Sequence, residues 1–152
     1  AKWDTYLLPY WVAQTGTQRG SSLYTGDRYS NKIYLLEEGV ADDDLNVVRE
    51  VSGFIRNFNK PIPCNEVVAY VNGGYSPTYV DEPILELRWS EDLGATWGNY
   101  VSASLGERGA FNKTVAFRSL GHMRDPGRIF EFRMTDKTRF RLDYATYNER
   151  VN

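Results

Sequence analysis

Cysteine and histidine are nearly missing from this 152-residue sequence, where Cys64 and His122 occur once each. One thiol cannot close an internal disulfide, and the lone cysteine points to assembly in a reducing compartment. One thiol and one imidazole do not make a zinc site. Cys64 precedes the apolar run "EVVAYV", which predicts a small buried side chain rather than a reactive thiol. His122 sits in "SLGHMRDPGR" with no nucleophile motif around it, and reads as a polar loop residue. No apolar run approaches a membrane span, and there is no secretory h-region. Helix signals are scarce too. In "LLEEGVADDDLNVVRE", Gly39 and the run Asp42-Asp43-Asp44 break the helical composition. Those three carboxylates lack the alternating spacing of a calcium loop and are expected to form a solvated turn. The glycines of "GERGAF" and "NGGY" lack phosphate-loop spacing.

What the sequence does hold is aromatic: eleven Tyr, seven Phe and four Trp, which favour strands. Apolar residues make up 41% and charged ones 25%, ordinary for a globular chain. The net charge of −2 excludes a generally basic nucleic-acid coat. Yet thirteen of the eighteen cations are Arg, most of them beyond residue 85, so a local basic face remains open. The sequence starts "AKWDTY", without Met, and is read as a fragment of a longer protein or a processed product.

Short strand patterns recur along the chain. "TYLLPYWVAQ", "SSLYTGD" and "KIYLLEE" are separated by tight turns, as in a propeller blade or meander. "NVVREVSGFIRNF" and "NEVVAYVNG" follow, separated by "NKPIP", whose prolines exclude a central strand. "NGGYSPTYVDEP" reads as a long ordered loop. From Pro83 the alternation sharpens. Leu85, Leu87 and Trp89 oppose Glu86, Arg88 and Ser90; Val115 and Phe117 share a side. Phe130, Phe132 and Met134 oppose Glu131, Arg133 and Thr135; Phe140, Leu142 and Tyr144 oppose Arg139, Arg141 and Asp143. One face of each strand is apolar and the other charged. The predicted fold is all-β: an antiparallel β-sandwich over residues 55–152, preceded by propeller-blade-like strands over 1–50, the end of a larger domain.

Residues 90–97, "SEDLGATW", match the Asp-box, a hairpin turn of many sugar-cleaving propellers that also occurs without catalysis. Its residues have structural tasks. Asp92 accepts hydrogen bonds from turn N–H groups, and Gly94 takes a positive φ. Ser90 and Thr96 add hydroxyls, and Trp97 is expected to return the chain to the core. Glycoside hydrolysis needs two carboxylates facing across a pocket, whereas the Asp and Glu here alternate along strands. A single box also cannot make a whole propeller. The sequence therefore reads as non-enzymatic, with no cofactor and no metal. Arg118, Arg128, Arg133, Arg139 and Arg141, with Arg124, form the one cluster. It is either an outer face paired with Glu131, Asp136 and Asp143, or an interface or channel face meeting an acidic partner or DNA.

Three segments, "LYTGDRYSNKIYLLEE", "LELRWSEDLGATWGNYVSASLGERGAFNKTVAFRSLGHMRDPGRIFEFRMTD" and "FRLDYATYNE", together resemble the C-terminal part of the packaged-DNA stabilisation proteins of tailed phages. These are the tail hub or nozzle proteins of short-tailed viruses, and the likeness spans most of residues 22–149. It implies a virion tail component assembled in the bacterial cytoplasm, forming a ring with copies of itself. It also implies partners: portal adaptor proteins above, tail needle, fibre or spike proteins below, DNA in the channel, and no membrane. The alternatives are a non-catalytic carbohydrate-binding module, with "YSPTY" and "WGNY" stacking on sugars, and a fragment of an Asp-box glycosidase.

Overall fold

Two antiparallel sheets, packed face to face over an apolar layer, dominate the computed structural model of the chain. It describes residues 13–36, 41–42, 45–58, 60–75, 82–107, 109 and 111–148. Two compact units divide between Gly39 and Val40.

In the first unit β1 (Ala13–Arg19), β2 (Ser22–Asp27) and β3 (Ile33–Leu36) form a three-stranded antiparallel meander. Residues 5–12 of the expected first strand lie outside the described residues; β1 instead runs through "AQTGTQR". The turn from β2 to β3 is shaped by Asp27, whose carboxylate accepts the Tyr29 N–H (2.7 Å) and the Ser30 hydroxyl (2.6 Å). Leu23, Ile33, Leu35 and Leu36 remain exposed on this sheet.

The second unit opens with a small hairpin of β4 (Ala41–Asp42) and β5 (Leu45–Asn46). Of the Asp run expected to form a solvated turn, Asp42 lies in β4, and Asp43 and Asp44 are outside the described residues. Then come β6 (Arg49–Arg56), β7 (Ile62–Pro63), β8 (Glu66–Tyr75), β9 (Ile84–Ser90), β10 (Val101–Ser104), β11 (Lys113–Arg118), β12 (His122–Met123), β13 (Gly127–Met134) and β14 (Arg139–Tyr147). One sheet has the order β10-β9-β13-β6 and the other β11-β8-β14, while β12 pairs with β7 in a separate ribbon. β6 starts at Arg49 and pairs with β13 along its whole length, so residues 49–54 belong to the sandwich. The prolines behave as expected: Pro63 occurs only in the two-residue β7. Residues 76–81 of the long "NGGYSPTYVDEP" stretch lie outside the described residues, but "NGGY" extends β8.

The alternation places the core. Leu85, Leu87, Phe130, Phe132 and Met134 from one sheet meet Val67, Ala69, Val71, Val115 and Phe117 from the other, all buried. Phe117 and Phe132 touch across the sheets edge to face, centroids 6.2 Å apart, the arrangement that ring quadrupoles favour. Cys64 is 1% exposed, and burial pushes its thiol pKa up, as an inert core cysteine requires.

One expected face breaks. Phe140 and Leu142 pack against the core, but Tyr144 is exposed and stacks on Tyr70, centroids 4.3 Å apart. The β14–β8 register shifts between Leu142 and Tyr144. The extra residue, Asp143, reverses the side on which every later side chain falls. Beyond the strand, Asn148 fastens it down. Its N–H donates to Glu66 O (2.9 Å), its Oδ1 accepts the Asn65 N–H (2.8 Å), and its Nδ2 donates to Pro63 O.

At the start of β13, Gly127 has φ +130°, and a Cβ there would run into the carbonyl oxygen of Ile55 and the Arg56 backbone. Both obstacles are main chain of the neighbouring strand, which cannot yield. Gly127→Ala should cost about 2 kcal/mol or more. Gly53→Ala, where a Cβ meets nothing within 4 Å, should stay within about 1 kcal/mol. Urea unfolding of the two variants beside the parent checks the difference.

Candidate functional site

Chemistry-bearing side chains gather at one end of β9 and β13 and on the outer face of their sheet. The turn after β9 is built around one carboxylate. Asp92 Oδ1 accepts the Thr96 N–H (2.8 Å) and the Ser90 hydroxyl (2.7 Å), and Oδ2 accepts the Thr96 hydroxyl (2.6 Å). Ser90 Oγ in turn accepts the Gly94 N–H (2.8 Å), with Gly94 at φ +96°. These donors hold the Asp92 pKa at about 2, with the Thr96 hydroxyl the largest cause, then the Thr96 N–H, then Ser90. Ser90 was expected on the wet face, yet it is 1% exposed; its hydroxyl is spent inside the turn. The carboxylate is fully committed to shaping backbone.

Trp97 does not return to the core between the sheets, as expected, but lies half-buried on the outer face. The Arg88 guanidinium sits over its ring at 4.6 Å and over the Tyr100 ring at 4.7 Å. Arg133 covers Tyr100 at 3.6 Å. Each guanidinium is also tied to a carboxylate: Arg88 to Glu131 (2.5 Å) and Arg133 to Glu86 (2.8 Å). The Tyr100 hydroxyl donates to Glu131 (3.0 Å). Its pKa is pushed up to about 12, first by burial and then by that hydrogen bond. The result is a closed layer in which cations stack on rings and pair with acids at once.

Arg128 differs from every other arginine of the cluster. It is 2% exposed and continues the inner row of Phe130, Phe132 and Met134. One fork nitrogen donates to Leu120 O (2.7 Å), the other to His122 O (3.1 Å) and to the Glu91 carboxylate. Its plane lies over the Trp89 and Phe130 rings at 5.1 and 5.6 Å. One planar group thereby joins the "SLGHM" segment, the start of the Ser90–Trp97 turn and the core.

The five predicted arginines consequently do not share a face. Arg118 pairs with Glu66 at 2.8 Å and is well exposed, and Arg141 pairs with Asp143 at 2.6 Å. Both strands belong to the β11-β8-β14 sheet, as does the exposed Arg139. Arg133 lies on the opposite sheet and Arg128 inside. Sequence reasoning missed Arg88, Tyr100, Glu86 and Glu91, and misplaced Arg128. The parity of "RIFEFRM" put Arg128 beside Phe130 and could have found it. Among the described residues no group of three His, Cys, Asp or Glu side chains could hold a metal ion. Glu86 and Glu131, the most enclosed carboxylates of this layer, are each neutralised by a guanidinium. This chemistry locks backbone and sheet faces.

Two variants test it. The Asp92 pKa is lower in the folded chain than its ordinary 3.8, so its contribution is present above about pH 4 and lost as pH falls toward 2. Acid unfolding of Asp92→Asn should be less steep across that interval than that of the parent, measured by circular dichroism. Arg128→Met leaves the Leu120 and His122 carbonyls without their donor and should cost about 2–4 kcal/mol. Glu91→Gln keeps an amide oxygen for the guanidinium but removes the counter-charge of a side chain that is 2% exposed, and should cost about 1–3 kcal/mol, both measured by urea unfolding.

Comparison with known families adds the last observation. Residues 51–148 match the family described as "Bacteriophage P22 Gp10, beta-sandwich", an interval running from β6 through Asn148. No curated protein matches the chain. The match covers well over half the sequence and coincides with the two packed sheets, the turn and the Arg128 junction: the chain belongs to the bacteriophage P22 Gp10 β-sandwich family.

Proposed function

We propose that the chain is part of a phage tail hub or nozzle, where it helps close the portal channel, retain packaged DNA and attach distal tail parts. The family places it among bacteriophage structural proteins. The observation that carries the finer reading is the coincidence of that sandwich with a turn and outer layer whose polar groups are consumed internally. Such a module gives a rigid surface rather than a reactive one. The meander of β1 to β3 supports the same reading. It exposes Leu23, Ile33, Leu35 and Leu36, and an apolar sheet face calls for another layer packed on it; a blade of a propeller meets that need. In the ring this reading requires, each copy presents two different surfaces to its neighbours. Portal adaptors, needle, fibre or spike proteins, and DNA are its partners, with Arg118, Arg139 and Arg141 the arginines of the set left on an accessible sheet.

The other readings have less support. A glycosidase lacks its pair of uncommitted carboxylates in the layer around the turn. For a sugar-binding module, the rings of "WGNY" already have guanidinium groups on their faces, and the side chains of "YSPTY" lie outside those described.

An amber mutation in the phage gene tests the hub reading. Heads should fill with DNA, then lose it, and should lack distal tail parts in electron micrographs. Mutant particles that keep their DNA and carry complete tails would overturn it.

A further inference from the structure

We propose that β6 is a self-complementary sheet edge: in the free chain it pairs antiparallel with β6 of a second copy about a two-fold axis at Gly53. The inference goes beyond the tail reading and does not rest on it.

β6 is the outermost strand of its sheet, eight residues long, and most of it is exposed. Val51 and Phe54 are 48% and 43% exposed. A groove of about 140 Å³ opens beside it toward β14, lined by Gly53, Ile55, Phe132, Ala145 and Tyr147. A long apolar edge of this kind is a template for another strand. The sequence "REVSGFIR" specifies which one. Through its pairing with β13, β6 turns Val51, Gly53 and Ile55 toward the side of Phe130 and Phe132, and Glu50, Ser52, Phe54 and Arg56 toward the side of Glu131 and Arg133. With Gly53 opposite Gly53 of the second copy, Val51 faces Ile55 on the inner side, covering the groove. On the outer side Glu50 faces Arg56 and Ser52 faces Phe54. Among the described residues Arg56 is exposed and takes part in none of the ion pairs, so the second copy's Glu50 supplies its counter-charge.

Charge also favours this register over its neighbours. A shift centred between Ser52 and Gly53 sets Arg49 against Arg56, and shifts centred on Ser52 or Phe54 take Glu50 away from Arg56, setting it against Phe54 or Phe58. Parallel pairing in register sets Glu50 near Glu50. Like charges directly opposite are unfavourable. A two-fold contact closes on itself, unlike the contact a ring needs; it covers the edge while the chain is free.

The test uses the full chain. Gly53→Cys is sterically open, since a Cβ there meets nothing within 4 Å. Directly opposed Cα atoms lie about 4.5–5.5 Å apart, inside disulfide range. Mild oxidation should convert most of Gly53→Cys, and little of Ser52→Cys, to a covalent dimer; buried Cys64 stays out of the reaction. By sedimentation, Glu50→Arg and Arg56→Glu should each raise the dimer Kd about tenfold, and the double variant should recover it. A parent that stays monomeric at about 100 μM, equal cross-linking at both positions, or no recovery in the double variant would each overturn the pairing.

Discussion

A charge buried among aromatic rings sets the terms for this sandwich. Taking a guanidinium out of water is favourable only where several acceptors converge on it. At Arg128 they come from three places: the Leu120 and His122 carbonyls, the Glu91 carboxylate, and the faces of Trp89 and Phe130. The carbonyls and the carboxylate belong to segments with few regular partners of their own, while the rings belong to the paired strands β9 and β13. The "SLGHM" stretch carries only the two-residue β12, and Glu91 stands at the mouth of an exposed turn. Arg128 is what makes their positions mutually dependent. The left-handed backbone at Ser119 and Gly121, and the backbone bonds of Leu120 and Ser119 to Cys64 and Asn65, complete the same corner.

The outer face of β9 and β13 repeats the principle nearer to solvent. Arg88, Arg133, Glu86 and Glu131 could have been an ordinary solvated ladder, where each pair adds little. Trp97 and Tyr100, delivered by the turn after β9, change that by covering the guanidinium faces. The turn thus serves as a device that carries two rings back over its own strand. This explains why a motif so strongly patterned in sequence contains no free functional group in space: Asp92 is occupied by Ser90 and Thr96, and the rings by arginines.

Much of this was legible in the residues. Strict alternation from Pro83 onward gave the buried rows of β9, β11 and β13, because period two has only one physical meaning in a half-buried strand. Three things were not. The bulge at Asp143 inverts Tyr144, and a sequence carries no marker for an inserted residue in a strand. Trp97 was expected inside because large rings usually are, while its actual partner, Arg88, lies nine positions back in the chain on the outer face of β9. Arg128 was grouped with the other arginines by charge, although its parity with Phe130 argued for the interior. Composition outweighed position there, and position was correct.

Asn148 rivets one end of the β14–β8 ladder. Strands normally fray from whichever end has the weaker rungs. Here one end is closed by a single side chain that holds Pro63, Asn65 and Glu66 together, with its own backbone N–H adding a further bond. The opposite end, at Arg139 and Tyr75, has an irregular register instead. That end is fastened from the other sheet: the Arg49 fork donates to the carbonyls of Asp136 and Thr138 just before β14. The strand behaves less like the edge of a plate than like a seam riveted at both ends.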